Sequence, residues 1–130
     1  MKKMLFLFAL VLPFSVFSQE IRVVEHMKKI DNEAYASSHA IKTDGGKVCA
    51  VIKVGLKLED VKFIGDSVVS QQKGEGSEYI VWVMPGCKRF TVQADPLLPF
   101  EYEFPEEAVM TTTYRLSLDI HDVRVVKPLT

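Results

Sequence analysis

The sequence predicts an all-β domain, an antiparallel β-sandwich of about seven short strands. Three observations carry that expectation. Residues Glu78-Tyr-Ile-Val-Trp-Val-Met-Pro-Gly-Cys-Lys-Arg-Phe-Thr-Val-Gln93 form two β-type runs joined by a Pro-Gly corner, the first apolar on both faces and the second alternating. The second half of the chain alternates with period two, which places apolar and polar side chains on opposite faces of a strand. Apolar spacing of the amphipathic-helix kind is hard to find anywhere in the chain.

Taken in order, Ile21 to His26 opens with a short β-type run, a first strand or an extended arm. Met27 to Gly46 is polar and aperiodic and reads as a long loop, with room for one helical turn around Asn32 to Ala36. Its end, Asp44-Gly45-Gly46, is a turn that feeds the next strand. Val48-Cys-Ala-Val-Ile-Lys-Val54 is apolar at nearly every position, as suits a central strand covered on both faces. Val61 and Phe63 share one side of a short strand that ends at Gly65-Asp66, and Ser67 to Val69 continue after that turn. Gln71 to Ser77, with Gly74 and Gly76, reads as a flexible hairpin connection. After the Pro-Gly corner, Phe90, Val92 and Ala94 oppose Arg89, Thr91 and Gln93. Phe100, Tyr102 and Phe104 then oppose Glu101 and Glu103, and Leu116, Leu118 and Ile120 oppose Arg115, Ser117 and Asp119. Val123 to Val126 adds a final edge strand, with Pro128 helping to end it.

The N-terminus is excluded from this fold. Lys2 and Lys3 precede an apolar run from Met4 to Phe17, and Ser18 precedes Gln19 at a small-residue cleavage site, the pattern of a secretory signal peptide over residues 1–18. The run holds about 14 apolar residues and contains Pro13, short of the roughly 20 that span a bilayer. The expectation is therefore an exported protein of the periplasm or cell surface with no membrane span after cleavage. Residues 19–130 form one domain, large enough to bury a core without metals or staples. Without Lys2 and Lys3, the 16 basic residues fall to 14 against 17 acidic, net −3, with no basic run. Nucleic acid, whose phosphates call for clustered Lys and Arg, is not an expected partner.

Several segments in sequence carry a family resemblance. They are Asp44-Gly-Gly-Lys-Val-Cys-Ala-Val-Ile-Lys-Val54, Phe63 with Gly65, Glu78-Tyr-Ile-Val-Trp-Val-Met-Pro-Gly86, Lys88-Arg-Phe-Thr-Val92 and Tyr114-Arg-Leu-Ser-Leu118. Together they resemble the β-sandwich module near the N-terminus of many exported proteins of Bacteroides-type bacteria, which is similar to PEGA domains. The resemblance runs from about Ile21 to Ile120 and implies a PEGA-like or immunoglobulin-like sandwich serving as a carrier or docking element. In that family other domains often follow, such as tetratricopeptide repeats or a formylglycine-generating-enzyme-like domain. The family's corner has a small residue after Pro and Gly, where this chain has Cys87, so the resemblance does not account for that cysteine.

Candidate chemistry is sparse. Cys49 and Cys87 both lie in the exported part, where a disulfide, two separate buried thiols or a reactive thiol are all open readings. Cys87 has Lys88 and Arg89 beside it and is the candidate for a lowered thiol pKa, though neighbours along a strand point to opposite faces. His26, His39 and His121 are scattered, and no spacing makes them converge on a metal. Glu101/Glu103 and Glu106-Glu107 approach the separation of a glycosidase pair, yet Glu101 and Glu103 lie opposite a clean apolar face, as solvated strand exteriors do. Trp82 sits within an apolar run and reads as core rather than as a sugar platform, and Tyr102 shares the core side with Phe100 and Phe104. No catalytic, metal or cofactor site is expected. The preferred reading is a non-catalytic binding or docking module of the cell envelope with a protein or glycan partner, acting through a sheet edge or the loops at one end. A small hydrolase using Cys87 or the Glu101/Glu103 face is one alternative, and a structural subunit of a surface assembly is another.

Overall fold

The computed structural model describes residues 15–30 and 35–126, with side chains described for 19–30 and 35–122. Eight strands fill it: β1 (Ser15–Lys29), β2 (Ala50–Gly55), β3 (Lys62–Ile64), β4 (Val68–Lys73), β5 (Glu78–Val83), β6 (Arg89–Gln93), β7 (Phe100–Glu103) and β8 (Thr113–Val126). One helical turn, α1 (Tyr35–Ser38), lies between β1 and β2. The large sheet has the order β1-β8-β2-β5-β4 and the small sheet β3-β6-β7. This is the all-β, sandwich-like architecture the alternation predicts, with one departure from antiparallel pairing. β2 and β8 run parallel, from Val51 opposite Thr113 to Gly55 opposite Ser117.

The two apolar runs occupy the middle of the large sheet. β2 lies between β8 and β5, and β5 between β2 and β4. Their inward side chains, Ala50, Ile52, Val54, Tyr79, Val81 and Val83, join the main core with Tyr114, Leu116 and Leu118 of β8. Their outward side chains do not meet water either. Val51, Ile80 and Trp82 form a second cluster with Ala36 and Cys49, overlaid by Tyr35 and Ile41. A continuous apolar run in place of strict alternation therefore signals two covered faces. The cover is fastened by polar bonds as well as packing. The Ala36 N–H donates to Thr113 Oγ1 at 3.0 Å, and Trp82 Nε1 donates to the His39 carbonyl at 2.9 Å.

The small sheet closes the core from the other side. Phe90, 1 % exposed, lies at the centre of an aromatic group, with ring centroids 5.3 Å from Phe63, 5.2 Å from Phe104 and 6.2 Å from Tyr102. The tilted and edge-on arrangements suit the quadrupoles of aromatic rings. The Pro-Gly corner crosses between the sheets as a turn in which Cys87 N–H donates to the Met84 carbonyl at 3.1 Å. Gly86 takes φ +89° at the third position, which a type II turn requires and a side chain resists, and Pro85 pre-sets the second.

Four segments differ from the sequence expectation. β1 runs for 15 residues rather than from Ile21 to His26, because pairing with β8 carries Glu25 to Lys29, polar except for the buried Met27, through two bulges. The long loop thus starts after Lys29, and its helical turn is Tyr35–Ser38; Asn32 to Ala34 of the expected turn lie outside the described residues. Val123 to Val126 is not a separate edge strand but the end of β8. Gln71 to Lys73, expected in a flexible connection, belong to β4. There Gln71 behaves as a substitute peptide group: its Oε1 accepts from the Phe63 N–H at 2.7 Å and its Nε2 donates to the Val61 carbonyl at 2.8 Å, tying β3 to β4. Met1 to Phe14, most of the expected signal peptide, lie outside the described residues. Ser15 to Ser18 pair with Val126 to Val123, so cleavage after Ser18 would take that partner away.

Candidate functional site

The two cysteines are free, buried and on different faces of the large sheet. Cys49 packs in the outer cluster and Cys87 in the main core. The segment after β7 closes over Cys87: the Ala108 N–H donates to its carbonyl at 3.0 Å and the Gly86 N–H to the Ala108 carbonyl at 2.7 Å. Burial pushes the Cys87 thiol up, partly offset by hydrogen bonds at the Arg89 backbone and the Ser67 side chain. Burial likewise raises Cys49. A nucleophilic cysteine is exposed and has its pKa lowered, so both departures run against that role. Lys88 and Arg89, the neighbours that made Cys87 a candidate, are instead exposed and paired with Glu107 at 3.4 Å and Glu101 at 3.6 Å.

The other candidates are dispersed. Glu101 and Glu103 lie on the solvent side of β7, opposite Thr91 and Arg89. His26 meets Tyr102, its Nδ1 3.2 Å from the hydroxyl, which also accepts the Met27 N–H at 2.9 Å. That bond ties β1 to β7 across the sandwich. His39 stacks on Tyr35 with centroids 3.9 Å apart, and His121 stands opposite Glu20 on the β1–β8 ladder. Among the described residues no three His, Cys, Asp or Glu side chains converge as metal ligands. No described helix is long and apolar enough to cross a membrane. Trp82 is 4 % exposed and Tyr102 3 %, so neither ring is a surface platform.

A cleft of about 560 Å³ opens on the outer face beside α1, between Tyr35, Lys53, Gln72 and Glu78. Tyr35, which falls within the helical turn expected around Asn32 to Ala36 and is not among the sequence-predicted site residues, is its aromatic wall. That ring is already engaged, stacked on His39 and with the Lys53 ammonium 4.6 Å from its centroid. A sugar ring would have to displace one of them.

The most open part of the structure is backbone. β8 pairs with β2 only from Thr113 to Ser117, whereas its pairing with β1 continues to the end of both strands. From Leu118 onward β1 and β8 make a two-stranded ribbon beyond the end of β2. The direction of its peptide groups follows from two bonds: the Thr112 carbonyl accepts from Val51 N–H of β2, and the Thr113 carbonyl from Ile30 N–H beyond β1. Alternation then turns Leu118, Ile120 and Asp122 toward the lane that β2 leaves, and Asp119 and His121 toward β1. In agreement, the Ile120 N–H is met by the Asp119 carboxylate at 2.8 Å, and among the described residues the β2 pairing has ended at Ser117. A groove of about 290 Å³ marks the step, lined by Val24, Gly55, Leu56, Lys57, Leu118 and Asp119 among others. The signal for this edge in the sequence is the mismatch between a 14-residue strand and its six-residue neighbour, visible only once the two are paired.

Comparison with protein-family models, with curated proteins and with solved structures gives no match for this chain.

Proposed function

We propose that the chain is a non-catalytic β-sandwich that docks a partner in the cell envelope. The observation that carries this reading is the β1–β8 ribbon, which leaves the packed body with main-chain donors and acceptors unpaired along one edge among the described residues. Unpaired edges attract strands, and domains that do not use them blunt or cover them. The residues that would serve a hydrolase are otherwise engaged: the thiols are buried and raised, and Glu101 holds Arg89. Export rests on Lys2, Lys3, the apolar run and Ser18. The likeness of Asp44–Val54 and Glu78–Val92 to PEGA-like modules supports a carrier or docking role.

A photo-crosslinking side chain placed at His121 on the ribbon, or at Glu103 on β7, tests the reading in the producing cells. A discrete cross-linked species is expected from position 121 and none from 103. Turnover of a thioester or glycoside substrate that is lost in Cys87→Ala or Glu101→Gln would overturn it in favour of a hydrolase. The N-terminal sequence of the exported protein is expected to begin at Gln19, and retention of Met1 would contradict export.

A further inference from the structure

The exposed edges of the two sheets are not built alike. β1 is bulged between Val23 and Glu25 and again before Lys28, and it carries Arg22, Glu25, Lys28 and Lys29. β4 is bulged between Val68 and Ser70, and Gln71 ties it to β3. β3 and β7 have three and four residues. These are the devices that keep edges from pairing with foreign strands. β8 from Leu118 to Asp122 has fewer of them: no bulge on its side of the ladder, no Pro and no Lys, only Asp119 and Asp122 as charges, and five residues in regular register with Gln19 to Val23.

We propose that this edge of β8 takes an extended, basic strand from another protein, laid beside Leu118–Asp122 in the lane that β2 vacates. The inference rests on the docking reading and names the place and chemistry of the partner. Main-chain geometry selects a strand, because beyond the Leu118 N–H, which the Gly55–Ser117 pair places on the Gly55 carbonyl, Ile120 and Asp122 turn both N–H and C=O to the lane at the spacing of an ordinary ladder. The Asp119 carboxylate holds the Ile120 N–H as a removable cap; an incoming carbonyl takes over that donor and frees the carboxylate for a cation. Charge selects a basic sequence. Between Gln19–Val23 and Leu118–Asp122 the ribbon carries Glu20, Asp119 and Asp122 against Arg22, and with Lys57 at the step where β2 ends the balance is still acidic. Leu118 and Ile120 give the inner face of the lane an apolar border, so the fitting strand alternates apolar and basic residues. The site lies wholly on residues that keep their β1 partner after cleavage at Ser18.

The test uses a fluorescein-labelled decapeptide of alternating Val and Lys, titrated against the purified protein by anisotropy. Ile120→Pro removes the lane-facing N–H and leaves the β1 ladder its bonds. Asp119→Lys reverses the charge at an exposed side chain, so it remains informative where the proline variant fails to fold. Glu103→Lys makes the same charge change on β7. Saturable binding is expected, weakened about tenfold by each of the first two changes and unaltered by the third. Absence of saturable binding, or equal weakening by Glu103→Lys, overturns the proposal. A dimer of the wild-type protein in sedimentation that Ile120→Pro abolishes would put a second copy in the lane and overturn the choice of partner. Discrete cross-links from other positions without peptide binding would leave docking in place and remove this edge from it.

Discussion

The sandwich body and the ribbon share a strand, yet the two parts of β8 live in different surroundings. Leu116 is 0 % exposed, between β1 and β2 with the small sheet beneath it; Ile120, two alternations further on, is half-buried with a strand on one side only. The body covers the large sheet twice, with the small sheet inside and α1 and its loop outside. Along the ribbon that cover thins out: Ile21 and Leu118 still join the main core, while Ile120 is only half-buried and Asp119, His121 and Asp122 are exposed. A pair of strands by itself is marginal in water, so a ribbon that extends beyond its body retains main-chain bonding capacity that a partner can use. Stability is concentrated in one region and unsatisfied bonding capacity in the other.

The sharpest way to break the body is at its aromatic centre. Phe90→Ala should cost about 3–5 kcal/mol, a large share of the roughly 5–15 kcal/mol that holds a domain together, and urea unfolding should show it as an early midpoint. Along β8 itself, Leu116→Ala should cost about 2–5 kcal/mol, whereas Ile120→Ala should fall near or below the lower end of that range. Equal costs at the two positions would mean that the ribbon is as well covered as the body. Gln71→Ala leaves the Phe63 N–H and the Val61 carbonyl without their partner, at about 1–3 kcal/mol, with faster amide exchange at Phe63 as the local readout. Gln71→Glu keeps the acceptor and loses the donor, and should not restore the loss.

The smallest effect is one of pH, and it belongs to the body alone. Burial raises Cys49, Cys87 and Tyr102 above their ordinary values, for Tyr102 against a partly offsetting bond from Met27 N–H. A group whose folded pKa is raised binds its proton more tightly in the folded state. Its contribution is complete below the unfolded pKa and is lost as pH rises through the folded one. Stability should therefore be level on this account up to about pH 8.5, the ordinary thiol value, and decline above it. The double variant Cys49→Ala/Cys87→Ala should flatten that decline in melts between pH 8 and 10. In the native protein near neutral pH, neither thiol should react quickly with a disulfide reagent. One fast thiol would overturn their assignment as core residues.

Face assignments were legible in the sequence because period two is a property of the strand itself. Phe90 and Val92 point in while Arg89 points out, and Tyr102 points in between Glu101 and Glu103. The doubly covered strands were legible for a related reason: Val48–Val54 and Tyr79–Val83 lack a polar face, and Trp82 is buried as the run implies. What escaped sequence reading depends on partners distant along the chain. β1 extends to Lys29 because β8 is there to pair with it, and no local preference marks Glu25 to Lys29 as a strand. Gln71 reads as a polar loop residue until β3 lies within reach of its amide. The cysteines, two residues with several open readings, resolve only when the sheet places them on opposite faces. The open edge of β8 was the least legible feature, since an edge is defined by where a neighbouring strand stops.

The most direct test is residue-resolved hydrogen exchange of β8, free and with the Val/Lys strand peptide bound. In the free protein, Asp119 and His121 amides, which face β1, and Leu118, the last to meet β2, should exchange slowly, and Asp122, which faces the lane, should exchange fast. The peptide should slow Ile120 and Asp122 while leaving β4 and β7 unchanged. Slow exchange at all five in the free protein, or protection that falls on β4 in place of β8, would contradict the account.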